Sequence, residues 1–260
     1  MSKKSEDEAF KKAFMGSFAI QSFRVTADGD YVAARLCYRN GLAQQFLWSS
    51  LQAIEKYLKC ILLLNKIATK GLSHDLGKAL KRVESRAPFQ LSLSDESRDF
   101  IRYLDTYGRF RYFETPYALH RAELLRLDKA VWEIRRYCQP LNYSIKNLKG
   151  EPVDMLPYGL EEIRRSERPT PPHQFNLSGG VLEKINANQE HPARSALIWK
   201  NGYFGKKSRK SVRFSPIMRA ANSPLSMHPD MLDEVLKYVH LPKDVEVAYR
   251  QEIKRKAKAK

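Results

Sequence analysis

Arg109, Arg111, Tyr112 and His120 are the residues of this chain best typed for chemistry on a phosphodiester. Cleavage of a ribose-phosphate backbone without metal needs a base for the 2′-hydroxyl proton and a cation for the charge that gathers on phosphorus. An imidazole and a guanidinium on neighbouring turns supply both. On this reading His120 is the base and Arg111 the phosphate ligand. The plainer reading makes Arg109 and Arg111 surface cations and His120 an ordinary residue at the start of a helix.

A second group lies far downstream. Residues 199–214 contain Trp199, Lys200, Tyr203, Phe204, Lys206, Lys207, Arg209, Lys210, Arg213 and Phe214, and no acid. Lysines and arginines there suit phosphates, and the rings suit unpaired bases. Alternatively, Trp199, Tyr203 and Phe204 dock this part of the chain onto a core and leave only the cations in water.

Other constellations point away from metals and cofactors. His74-Asp75 has the residue types of a metal-binding pair, but successive helical residues diverge by about 100° and no further ligands follow at suitable spacing. Helix capping accounts for Ser73 and Asp75 instead. Gly179-Gly180 is not followed by the Lys-Ser/Thr pair of a phosphate loop. No cofactor is expected. Gln52, Lys56 and Lys59 read as a polar helix face, either solvated or part of a dimer seam.

The elements that must carry these residues are helical. Leu47, Leu51, Ile54, Leu58 and Ile61 recur at alternating steps of four and three, which predicts a buried stripe on a helix over 44–65. Asp28 or Asp30 is expected to cap a helix over about 31–39, with Ala27-Asp28-Gly29-Asp30 as the turn before it. Ser73 and Ser94 open two further helices, and a fifth runs from about Ala118 to Cys138. Short connections make the fold all-α, an up-and-down bundle over residues 25–140. Residues 1–24 form a polar leader with a short helix bearing Phe10 and Phe14. Residues 141–260 form a basic, partly helical extension with a proline-rich linker near 166–172 and helices near 229–240 and 242–256.

With 46 lysines and arginines against 29 acids, the net charge is +17, and the cations are spread over both halves of the chain. A field of this size attracts polyanions, and nucleic acid is the commonest one inside a cell. Three cysteines far apart in sequence argue against a disulfide framework or a zinc site. No apolar run approaches the length of a membrane span. No apolar signal segment follows Met1. The expectation is a cytoplasmic protein with no membrane contact.

The stretch from Asp30 to Leu76 resembles the HEPN family, and the resemblance extends over about residues 25–138. It is carried by Asp30-Tyr31-Val32-Ala33-Ala34-Arg35, Phe46-Leu47-Trp48, Gln52-Ala53-Ile54-Glu55-Lys56-Tyr57-Leu58-Lys59 and Ser73-His74-Asp75-Leu76. The segment Arg111-Tyr112-Phe113 through Pro116 adds to it. The resemblance implies a small helical bundle that binds RNA, in RNA processing, toxin–antitoxin or defence systems. It also implies a homodimer, and a nucleotidyltransferase or antitoxin-like partner. Ribonuclease members carry an Arg and a His four to six residues apart and need no metal. Here eight residues separate Arg111 from His120. Arg168 and His173 have the family spacing, but the intervening prolines forbid the helix on which that pair should sit. The alternative implied by the family is a non-catalytic dimerisation module, or a nucleotide-binding accessory.

Overall fold

The computed structural model describes residues 3–109, 113–120, 122–167, 175–205 and 218–258. Six helices build the N-terminal half among the described residues. Helix α1 spans Lys3–Ala19 and passes through a π-helical turn (Ile20–Val25) into α2, Thr26–Arg39. Helix α3 spans Ala43–Leu64, α4 Leu76–Arg86 and α5 Asp95–Tyr107. A short strand β1, Tyr117–His120, precedes α6, Glu123–Arg135. The bundle expected from the sequence is therefore present.

Helix α3 is its central rod. Leu47, Leu51, Ile54, Leu58 and Ile61 are buried as their spacing predicts, but so are Ala53, Tyr57, Cys60 and Leu62. The apolar stripe is wider than one seam because α1, α2, α4, α5 and α6 all pack against this one helix. Cys60 and Cys138 are buried free thiols inside this core, and Cys37 is half-buried.

Several local expectations change. Helix α2 runs straight through Gly29, at a cost of about 1 kcal/mol relative to alanine. Asp28 does not cap it but turns inward. Arg135 donates to it through Nε (2.7 Å) and Nη2 (2.8 Å), and the Tyr57 hydroxyl donates at 2.6 Å. Ser73 is not the cap of α4: it sits at φ 44°, and Asp75 takes the capping role by accepting from the Lys78 amide at 2.7 Å. Ser94 caps α5 as read, accepting from the Ser97 amide. Gly108 ends α5 where a side chain would not fit, since a Cβ there would lie 2.8 Å from the Leu104 carbonyl and 3.0 Å from that of Leu47. The helix expected from Ala118 begins only at Glu123. Tyr117–His120 instead pairs antiparallel with β4, Met218–Ala221, so that Leu119 faces Arg219 and His120 faces Met218. Local periodicity carries no information about a partner that distant.

Beyond residue 140 the chain divides between two hydrophobic clusters. A hairpin, β2 (Ser144–Lys146) with β3 (Pro152–Asp154), leads to α7 (Leu156–Arg165), α8 (Val181–Ala187) and α9 (Arg194–Ile198). Ile163, Leu177, Leu182, Ile185, Leu197 and Phe204 join the bundle's own core. Buried arginines tie this part down. Arg135 bridges Asp28 to Glu183, through bonds of 2.7 and 2.8 Å to Glu183. Arg35 pairs with Asp128 and donates to the carbonyls of Ala196 (3.0 Å) and Trp199. Desolvating such charges is costly, and the hydrogen bonds of Arg35 and Arg135 offset it, although Asp128 Oδ2 is buried without a partner. Leu225, Leu232, Leu241, Val245 and Tyr249 form a second, smaller cluster. It unites α10 (Pro224–Met227), a 3₁₀ turn (Pro229–Met231), α11 (Leu232–Leu236) and α12 (Lys243–Lys258). The single helix expected over 229–240 is thus the 3₁₀ turn followed by α11. No helix among the described residues is long and apolar enough to cross a membrane.

Candidate functional site

Of the residues singled out for phosphodiester chemistry, Arg109 and His120 fall within the described structure. Arg111 and Tyr112 lie outside the described residues. Arg109 follows the end of α5 and pairs with Asp244 on α12, so its guanidinium links the bundle to the second cluster. His120 is exposed at the last position of β1, and its ring makes no hydrogen bond to a described residue. Its charged neighbour is Glu123. Burial pushes the Glu123 carboxyl up, and Arg126 and His120 oppose that only in part.

In the downstream group Trp199, Lys200 and Tyr203 are described, whereas Lys206, Lys207, Arg209, Lys210 and Arg213 lie outside the described residues. Trp199 packs half-buried against the core, and Tyr203 contacts Trp132 at 6.2 Å between centroids. Arg39 and Lys200 both lie over the Trp199 ring, at 5.8 and 5.5 Å. The docking role read for these rings is therefore visible. The same ring also gathers two cations at the surface, an arrangement worth about 0.5–1 kcal/mol per pair at exposed sites.

The sequence did not bring together a third cluster, on the open face of α3. Glu55 on α3 is almost wholly buried, its side chain 5% exposed, while the His74 side chain above it is 48% exposed. His74 Nδ1 donates to Glu55 Oε2 at 2.9 Å, and Lys59 Nζ donates to Glu55 Oε1 at 2.5 Å. The Gln52 amide lies 3.4 Å from the same imidazole nitrogen, and Trp48 packs against the ring edge-on at 5.5 Å. Lys56, one turn along, pairs with Asp30 of α2.

The loop from 66 to 75 is held where it presents His74. Arg82 donates to the carbonyls of Ala68 and Lys70, Asp105 accepts from the Leu76 amide at 2.9 Å, and Asp75 caps α4. Burial pushes the Asp75 carboxyl up, but hydrogen bonds from Lys78 and the charges of Lys78 and Arg109 bring it below the usual carboxylate range. Arg109 therefore acts on the same end of α4 that carries His74. Gln52, Lys56 and Lys59 had been visible as a polar face. The sequence gives no sign that Glu55, nineteen positions before His74, lies beneath that imidazole.

Among the described residues no group of three or more His, Cys, Asp or Glu side chains could hold a metal ion. What the α3 face can do chemically follows from its hydrogen bonds. A carboxylate accepts from Nδ1, so the imidazole carries its proton there and leaves Nε2 as the acceptor nitrogen.

No curated protein matches this chain, and no solved structure does. The family model described as HEPN domain matches residues 20–139, from the π-helical turn through the end of α6. With the helical order and the α3 core as described, residues 20–139 are similar to HEPN domains.

Proposed function

We propose that this protein binds RNA through its HEPN bundle, with the cations of residues 141–260 adding affinity. The observation that carries this reading is the charge surplus. Even with all 29 acids engaged, 17 cations remain in excess. Several carboxylates, among them Asp28, Asp128 and Glu183, are spent on arginines in or against the core, which leaves fewer to neutralise the surface. A surface so composed attracts a phosphodiester chain with no requirement for sequence. The HEPN match supports a ribonuclease or nucleotide-binding module in general.

Binding of a labelled structured RNA across a salt series tests it. Releasing several counterions requires affinity to fall at least tenfold between about 50 and 200 mM salt. A flat response, or no binding at the lower concentration, contradicts the reading.

A second reading, a protein-interaction module working as a homodimer or with a nucleotidyltransferase or antitoxin-like partner, is favoured by one feature of α1. Phe10, Phe14 and Phe18 are exposed (68%, 57% and 41%) and stack at successive turns, with centroids 6.4 and 6.5 Å apart. Large rings in such a row suit an apolar partner surface. Retained self-association alongside a flat salt response would favour this reading over RNA.

A further inference from the structure

The geometry points to Glu55 and His74 as a carboxylate–imidazole dyad that cleaves the RNA bound by this bundle, with His74 as the base. This inference rests on the RNA-binding reading. Its basis is a contrast in burial within one hydrogen-bonded pair. The carboxylate is enclosed and the imidazole is open. A buried carboxylate on Nδ1 fixes the tautomer and ring orientation and stabilises the imidazolium once a proton has been taken. Trp48 holds the ring from its edge, and Gln52 flanks it. The ring is thus held by α3 on one side and by the capped start of α4 on the other, while Nε2 is the nitrogen left for a substrate.

The reaction this arrangement suits is transesterification within RNA. His74 Nε2 takes the proton of a ribose 2′-hydroxyl. The 2′ oxygen bonds to the adjacent phosphorus as the bond from phosphorus to the 5′ oxygen breaks. The departing 5′ oxygen takes a proton from water, and His74 returns its own proton to solvent. The products are a 2′,3′-cyclic phosphate and a 5′-hydroxyl end, and no oxidant, reductant or metal is consumed. Lys59 lies beside the dyad with its ammonium on Glu55 and 3.5 Å from the Ser73 carbonyl, which further fixes the carboxylate behind the ring. In this scheme His74 is a catalytic residue and Glu55 a positioning one.

The charged group in contact with the imidazole is Glu55, which also holds Lys59; at the start of α4, Asp75 pairs with Lys78 and is acted on by Arg109. Their arrangement defines the test. The full-length chain is incubated with a pool of structured RNAs in chelator, cleavage ends are mapped, and RNA binding is measured in parallel. His74→Gln keeps a donor for Glu55 but cannot accept the proton. It is expected to bind RNA within about threefold of the unmodified chain while cleaving at least 100-fold more slowly, as removal of a general base requires. Glu55→Gln is expected to retain slow cleavage with kcat lowered and KM for RNA unchanged, because the ring has lost the carboxylate that orients it. Cleavage by His74→Gln at the unmodified rate overturns the proposal, as does RNA that is bound by the unmodified chain but left intact. Failure of the unmodified chain to bind RNA at all overturns the RNA-binding reading itself.

Discussion

His74 and His120 are both surface imidazoles among cations, yet the fold treats them differently. His74 stands at the start of a capped helix with a buried carboxylate behind it. His120 ends a strand of four residues, and Glu123 is the acid beside it. An imidazole works as a base only when its ring is held in one tautomer and aimed. Proximity to arginines in sequence, which singled out His120, does not provide that. A carboxylate contributed by another helix does.

The largest expected effect would break this comparison outright. If the two histidines are as unequal as their settings, His74→Gln loses about two orders of magnitude in cleavage, or about 2.7 kcal/mol of transition-state stabilisation. His120→Gln should stay within about twofold in the same assay. Equal losses would restore His120 to the mechanism.

Next in size is Gly108→Ala, at the packed end of α5 that leads to Arg109. A methyl group there meets two backbone carbonyls and the Leu51 Cβ, at 3.1 Å or less. Overpacking of this kind should cost about 1–3 kcal/mol in urea unfolding. A neutral result would mean that α5 can move away from α3 without penalty. Asp75→Ala removes the cap of α4 and should cost about 1 kcal/mol. Faster amide exchange should be confined to the 66–80 region, and the β1–β4 ribbon should be unaffected. Should the ribbon respond equally, the two histidine settings are coupled and the comparison loses its sharpness.

The smallest effect concerns pH. Burial pushes the Glu183 carboxyl up, but the hydrogen bonds and charge of Arg135 bring it below its ordinary value. A carboxylate whose folded pKa lies below its unfolded value contributes stability above the unfolded value of about 4.3 and loses it as pH falls through the folded one. Melting followed from pH 7 down to pH 3 should therefore show a decline that Glu183→Gln makes shallower. An unchanged slope would remove the Arg135–Glu183 pair from the acid response.

Much of the frame was legible from local pattern. The stripe from Leu47 to Ile61 and the Ser94 cap both follow from residues a few positions apart, where helical geometry alone fixes what meets what. The partners of Asp28, Glu55 and Tyr117–His120 are not local. Asp28 meets Arg135 across 107 positions, and Glu55 meets His74 across a loop. Tyr117–His120 meets Met218–Ala221. Each of these pairs depends on which helix faces which, and spacing does not encode that. Asp28 read as a helix cap for the same reason, since a carboxylate near a helix start looks alike whether it caps or turns inward.

The most direct test of RNA seated at the α3 face is the ring spectrum of His74 in the full-length protein, followed by nitrogen-detected NMR as RNA is added. The account predicts a protonated Nδ1 in the free protein, and an Nε2 signal that moves with RNA while that of His120 stays in place. RNA that binds while the His74 ring signals remain unmoved would contradict it.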